Sequence, residues 1–364
     1  MKTNSTTHIG IIAYENCTSS IVLGTLDILS FANAQWRNFN QSPPSNGQPL
    51  FHVEIITLTG KPVASFNQHP IFPHGATDGK SDFDIIIIPG CLGDLEAIIQ
   101  AQRNTIAWLQ EQHAKGACIN AVCNGNFLLA ETGLLDGREA TTHWSCAALF
   151  RERYPKVELK PEKILIDGGD IISAAGVTAY LNLCVYLVGK FSNSDLASRC
   201  AKVFLVDSGR HNQTPYEMFN CPQAHGDREI LKAQKWLESR FNEPVSVLAM
   251  ANIAGLERRT FMRRFKNATG DSPRVYLQRM RIDSAKRKLE STKETIAEIT
   301  WNVGYRDISS FQRLFKTSTG LSPGAYRRKF SLFPNYESGG LSALHGKQSD
   351  RTLRENINTT PGFE

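Results

Sequence analysis

Apolar residues in the first 210 positions fall into short continuous runs that alternate with stretches at helical spacing. Ile9-Gly10-Ile11-Ile12-Ala13 is nearly continuous, the pattern of a strand buried on both faces of a parallel sheet. Ile21 to Ala32 then repeats apolar positions with a helical period, and Phe51–Leu58 reads as a second strand. Asp84-Ile85-Ile86-Ile87-Ile88-Pro89-Gly90 holds the most strongly buried strand of the chain. Helical spacing returns over 105–115, Gly116 stops it, and Ala117–Val122 is another central strand. Strands alternating with helices of this length predict right-handed crossovers and an α/β doubly wound sheet covered on both faces.

Beyond residue 226 the strand signal disappears and an internal repeat takes over. Thr269-Gly270-Asp271-Ser272-Pro273 recurs as Thr319-Gly320-Leu321-Ser322-Pro323, an offset of 50 that also relates Phe261 to Phe311, Arg263 to Arg313, Phe265 to Phe315 and Lys266 to Lys316. Matches held in register over this span imply two copies of one supersecondary unit. In the first copy a helix over 247–253 meets a turn at Gly255, and a second helix follows over 258–267. The second copy opens with the capping box Thr295-Ile296-Ala297-Glu298, turns at Gly304-Tyr305 and continues with a helix over 308–318 that Asp307 can cap. Helix, short glycine-containing turn, helix is the helix-turn-helix unit. Ser272-Pro273 and Ser322-Pro323 each start one more helix, and the first, running to about Leu289, is long enough to span ~24 Å as a rigid connector. Ile230, Ala233, Leu237 and Phe241 mark an amphipathic support helix upstream.

Charge divides the chain in the same place. The 364 residues carry a net +6, but Met1 to Asn220 holds 16 basic against 20 acidic residues, whereas Cys221 to Phe330 holds 22 against 11. A mildly acidic region therefore precedes a strongly basic one, which directs nucleic acid to the second. Length favours two domains, and 41% hydrophobic content supports ordinary cores. No apolar run approaches the ~18–20 residues of a membrane helix, and the first residues enter a strand pattern directly, so neither a membrane segment nor a signal peptide is expected. The eight cysteines include no Cys-x-x-Cys pair and read as reduced thiols of a cytoplasmic protein, with no metal and no cofactor expected.

One turn carries candidate chemistry. Cys118-Ile119-Asn120-Ala121-Val122 runs into Cys123, and a helix starts at once, ending near Gly133. A strand–nucleophile–helix turn lifts its side chain above the carboxyl edge of the sheet, where backbone N–H groups can face an oxyanion. The same cysteine also reads as a small buried residue in a βα turn, because cysteine is among the most buried residue types.

With Pro89-Gly90, the elbow Val122-Cys123-Asn124-Gly125, Gly133-Leu134-Leu135-Asp136-Gly137-Arg138, Ala140-Thr141-Thr142-His143-Trp144, Asp167-Gly168 and Ser173-Ala174-Ala175-Gly176-Val177, the first region resembles the class I glutamine amidotransferase-like superfamily, a flavodoxin-like fold. More narrowly it resembles the PfpI-type domain at the front of GlxA-type regulators. The resemblance implies a domain over 8–210 that acts as a sensor and dimerises. Enzymatic PfpI-type members place histidine directly after the nucleophile; this chain has Asn124, which cannot accept a thiol proton. The carboxylate those enzymes supply from the first helix falls at Ile21, and Cys91 stands where a second glycine usually follows Pro-Gly. His143 remains as a partner for Cys123, or as a cap for the helix beginning at Trp144. The reading is a former active site kept as a small-molecule pocket lined by Pro89, Gly90, Cys91, Cys123, Asn124 and His143, with Cys123 and His143 as vestigial catalytic candidates.

The second region, 227–330, resembles the AraC-type DNA-binding domain, an all-α fold with two helix-turn-helix units. Phe261, Phe265, Phe311 and Phe315 must face its cores, which leaves Arg259, Met262, Arg263 and Lys266, and Ser309, Gln312, Arg313 and Lys316, on the outer sides of the recognition helices. Arg259, Arg263, Gln312 and Arg313 are the base-reading candidates, since arginine pairs with guanine and glutamine with adenine in the major groove. Arg258, Arg306 and the run Lys286-Arg287-Lys288 are expected at phosphates. Residues 211–226 read as a linker and 331–364 as a disordered tail. Together these features predict a sequence-specific transcription regulator. Its partners are double-stranded DNA, a small-molecule effector, a second copy of the chain and, as a further candidate, RNA polymerase. The rival is a cysteine-dependent hydrolase or amidase using Cys123, fused to a DNA-targeting module.

Overall fold

A computed structural model describes residues 6–39, 48–78, 82–219, 221 and 223–331. The chain divides into two compact units, Met1–Met218 and Phe219–Glu364. Residues 332–364, most of the expected tail, lie outside the described residues.

Among the described residues of the first unit, the principal sheet has seven strands in the spatial order Leu165–Asp167, Ile171–Ala174, Cys118–Val122, Ile85–Ile88, Thr7–Ile12, Phe51–Thr57, Gly75–Ala76. Leu165–Asp167 pairs antiparallel with its neighbour, and every other pair is parallel. The doubly wound expectation is therefore met, and the isoleucine run shows why the pattern was continuous. Ile86 and Ile88 pack on one face with Phe127, Leu128 and Phe150, while Ile85 and Ile87 pack on the other with Ile21, Leu29, Leu183 and Leu187. Helices Arg103–Ala114, Gly125–Glu131 and Ala147–Arg153 contribute to the first layer, and Ser19–Phe39, Ala179–Phe191 and Ser194–Val203 to the second. Truncating Phe127, which is fully buried against Phe150 at 4.9 Å between centroids, would cost about 3–5 kcal/mol.

Strand order reverses between Thr7–Ile12 and Ile85–Ile88, the topological switch point of the sheet, and the loops leaving those two strands are joined there, Thr18 N–H donating to Gly90 O at 2.8 Å and Leu92 N–H to Asn16 O at 3.1 Å. Ala13–Thr18 and Pro89–Cys91 lie at that switch point, and the elbow after Cys118–Val122 stands beside it.

The second unit is helical. Arg228–Glu238 supports Val247–Ile253 and Arg258–Thr269; the connector Pro273–Ser291 leads to Ile296–Asn302, Ile308–Thr319 and Pro323–Phe330. Asp227, Ser246, Thr295 and Asp307 accept backbone N–H bonds at four of the helix starts, and Thr295 with Glu298 forms the full capping box. The offset of 50 persists in three dimensions. Gly270 and Gly320 both end their helices in the left-handed region, with φ of 80° and 74°. Thr269 and Thr319 each donate to the carbonyl of the buried phenylalanine four residues back, at 2.8 Å in both copies. Phe265 meets Tyr276 edge-on at 5.1 Å, and Phe315 meets Tyr326 in the same way at 5.4 Å.

Both ends of the 211–226 stretch carry specific contacts. Ile164 donates to the His211 carbonyl at 3.1 Å and Asn212 bridges to Lys163 in the first unit, while Phe219 packs edge-on against Tyr276 at 5.0 Å in the second. Gln213 N–H also donates to Glu162 O at 2.8 Å, so the backbone of 211–213 pairs with 162–164, the approach to Leu165–Asp167.

Candidate functional site

The elbow is built as the sequence indicates. Cys123 follows the strand Cys118–Val122 directly, precedes the helix Gly125–Glu131, and takes φ of 60°. A left-handed conformation in a residue other than glycine is strained, and here Cys123 N–H holds it by donating to Ala174 O at 2.8 Å. The turn is also tight: a Cβ on Gly125 would stand 2.4 Å from Pro89 O, and one on Gly90 2.9 Å from Cys123 Cβ. These glycines let the loop after Ile85–Ile88 close onto the elbow.

Asn124 closes it further. Its Oδ1 accepts from Cys91 N–H at 2.8 Å and its Nδ2 donates to Cys91 O at 2.9 Å. Both faces of the amide are therefore spent on the neighbouring loop, where an enzyme of this fold would place a base. Tyr14, which the sequence reading passed over, donates from its hydroxyl to Pro89 O at 2.7 Å beneath the same loop. Its only sequence signal was its position two residues past the end of the first strand, Thr7–Ile12.

Pro89, Gly90, Cys91, Cys123 and Asn124 thus come together, but they pack closely. Cys123 is 7% and Cys91 3% exposed. Burial pushes the Cys123 thiol up to about 12, against the pull of the Asn124 and Gly176 backbone amides. Burial likewise raises Cys91 and Cys17 to about 11. Burial therefore favours the protonated thiol at the elbow. Ile21 is fully buried in the core, so this position of the first helix supplies no carboxylate to the elbow.

His143 lies beside Gly176, whose Cβ position would be 3.9 Å from its ring. Its Nδ1 accepts from Ser145 N–H at 3.2 Å and lies 2.7 Å from Ser145 Oγ, the capping role. Among the described residues no hydrogen bond joins it to Cys123. Burial lowers its pKa, keeping the ring neutral. Its neighbour Thr142 does reach the elbow, donating to Cys123 O at 3.0 Å, and Gln213 Nε2 donates to Thr142 O at 2.8 Å.

The second unit presents a different surface. Arg258, Arg259, Met262, Arg263 and Lys266, and Arg306, Ser309, Gln312, Arg313 and Lys316, are all exposed. Phe261, Phe265, Phe311 and Phe315 are fully buried on the opposite sides of the same helices. Among the described residues none of the seven cations in that set forms an ion pair. Arg264, by contrast, turns inward and clamps Asp227 with bonds of 2.9 and 2.6 Å; its counterpart at the offset of 50 is Leu314. The run Lys286-Arg287-Lys288 departs from expectation. Lys286 is buried with its ammonium over the Tyr326 ring, Arg287 pairs with Asp283 at 3.1 Å, and Lys288 with Glu294 at 2.9 Å. Lys286 and Lys288 are thus engaged within the fold, while Arg287 remains largely exposed beside its Asp283 partner.

Comparison with known proteins follows the same division. Residues 47–190 match the DJ-1/PfpI family, and residues 250–329 match a helix-turn-helix domain family. The HTH-type transcriptional regulator GbdR of Pseudomonas aeruginosa is 25% identical over 354 residues, 92% of this chain and 93% of that protein. CdhR, an HTH-type transcriptional regulator of the same organism, is 26% identical over 78% of this chain and 83% of its own length. The HTH-type transcriptional regulator GlxA of Rhizobium meliloti is 25% identical over 78% of this chain and 87% of its own. Among the described residues no helix is long and apolar enough to cross a membrane.

Proposed function

We propose, on the premise that this chain belongs to the DNA-binding transcriptional regulators in which a DJ-1/PfpI domain precedes an AraC-type helix-turn-helix region, that its helices Arg258–Thr269 and Ile308–Thr319 read two segments of one operator. Arg259, Arg263, Gln312 and Arg313 meet base edges, with Met262 and Ser309 beside them; Arg258, Lys266, Arg306 and Lys316 meet phosphates. The observation that carries this is the equivalence of two exposed, unpaired faces at an offset of 50. A solvated charge has no reason to recur on the same face of a repeated unit. The fold meanwhile pairs the remaining arginine of the first helix, Arg264, with Asp227, and Lys288 with Glu294.

The front domain is proposed as a sensor without catalysis. A protonated buried Cys123, an Asn124 clamped to Cys91 and a His143 engaged with Ser145 support that reading. The effector is proposed to act at the switch point formed by Pro89, Gly90, Cys91, Cys123, Asn124 and His143, where strand order reverses; because these residues pack closely, its entry requires the loops there to part. A cytoplasmic homodimer formed through this domain, with RNA polymerase as a further partner, completes the proposal; family resemblance alone supports these last parts.

The test uses DNA selected from a random pool by the full chain. Arg263→Ala and Arg313→Ala should each lose ~1–3 kcal/mol of affinity for that DNA at physiological salt. Unchanged affinity in both variants would remove the proposed reader.

A further inference from the structure

A cavity of about 450 Å³ opens in the front unit away from the elbow, beside the strap by which the chain leaves that unit. Its floor is apolar, formed by Ile164, Leu165 and Val185, and its wall carries Lys163, Arg210 and His211. That volume suits a small organic ligand. No acidic residue lines it, and among the described residues Lys163 forms no ion pair. The nearby Asp167 is already held by Lys190 at 2.8 Å and by the Tyr186 hydroxyl.

Arg210 is the informative member. Among the described residues its side chain bonds two neutral oxygens, Thr178 Oγ1 at 2.9 Å and Asn182 Oδ1 at 2.6 Å. Thr178 is the N-cap of the helix Ala179–Phe191, and Asn182 lies in its first turn. That end of a helix is already positive, from its free N–H groups and its dipole. A guanidinium held there, with the exposed Lys163 lining the same cavity, gives the cavity a positive rim that an anion would complement.

We infer that this cavity binds a small monocarboxylic acid, with the carboxylate between Arg210 and Lys163 and the apolar body over Ile164, Leu165 and Val185. Arg210 and His211 belong to the exit strap, and Lys163 to Leu165 to the edge strand and its approach. An occupied site would therefore fasten the strap to the sheet, so a ligand here would act on the segment that leads to the reader. This site stands independently of the elbow.

The experiment is calorimetric titration of the full chain with benzoate and hexanoate at constant ionic strength, with benzamide and hexanamide as neutral counterparts. At least one carboxylate should bind saturably while both amides fail. Lys163→Gln and Arg210→Gln should each weaken that binding tenfold or more, whereas Lys61→Gln, an exposed lysine outside the cavity, should not change it. Circular dichroism on each variant establishes that it is folded. The inference is overturned if neither carboxylate binds, if the amides bind equally well, or if binding is unchanged in a folded Lys163→Gln protein.

Discussion

The guanidinium of Arg281 lies over the ring of Tyr305, 5.3 Å from its centroid, while its Nε and Nη2 each donate at 2.7 Å to the carbonyls of Phe241 and Glu243. One side chain of the connecting helix therefore ties the turn after the support helix to the turn of the second helix-turn-helix. We expect the spacing of the two recognition helices to depend on that tie. Arg281→Ala should lower stability by about 1–3 kcal/mol and operator affinity at least tenfold, although Arg281 is not a proposed DNA contact. Chemical denaturation and titration with selected DNA check the two effects; wild-type affinity in the variant would show that the spacing is set elsewhere.

Gly304 presses on the same junction. A Cβ there would stand 2.7 Å from Asn242 O, and φ is 87°; Gly255, at the corresponding turn of the first unit, has φ of 63° and open space around it. Both alanine variants bear left-handed strain of about 1 kcal/mol, but Gly304→Ala must also push a backbone aside. It should therefore be the more destabilising by at least ~1 kcal/mol in thermal or urea unfolding. Equal losses would mean that the two halves are not in firm contact.

At the elbow, Asn124→Ala should destabilise the front unit by about 1–3 kcal/mol, because it leaves the N–H and C=O of Cys91 without their partner. Cys123→Ala should leave DNA affinity unchanged. A hydrolytic activity of the wild-type chain that Cys123→Ala abolishes would restore the catalytic reading.

Alkaline pH should weaken the fold. Burial raises Cys17 and Cys91 to about 11 and Cys123 and Cys184 to about 12, from 9.0 for a free thiol. Below pH 9 both folded and unfolded chains keep these protons. Above it the unfolded chain releases them first, so stability falls as pH rises, by up to about 1.4 kcal/mol per pH unit for each such thiol. Unfolding midpoints at constant salt should decline from pH 9 to pH 10.5, and alkylation of Cys123 by iodoacetamide at pH 8 should be far slower than that of a free cysteine. A flat profile, or fast alkylation, would show that the thiols are accessible.

Much of this was legible in the sequence, for identifiable reasons. The isoleucine run at 85–88 could only be a strand packed on both faces. Paired phenylalanines four apart and glycines at an offset of 50 left one arrangement for the second unit. The elbow was visible because a nucleophile-bearing turn must join strand and helix without a loop. Side chains whose partners are distant in sequence were less legible. Lys286, Arg287 and Lys288 read as a basic run until Tyr326, Asp283 and Glu294 were placed beside them. Gln213, 3% exposed, sat in a stretch whose prolines and glycine suggested a linker, yet its amide bonds to Thr142 O and accepts from Trp144 N–H, on either side of His143.

Guanine methylation interference on selected operator DNA, with the full-length protein and its Arg263→Ala and Arg313→Ala variants, tests two-helix reading most directly. Two clusters of critical guanines should appear about one helical turn, ~10 bp, apart in the major groove. Arg263→Ala should erase one cluster and Arg313→Ala the other. A single cluster, or the same cluster erased by both substitutions, would contradict the account.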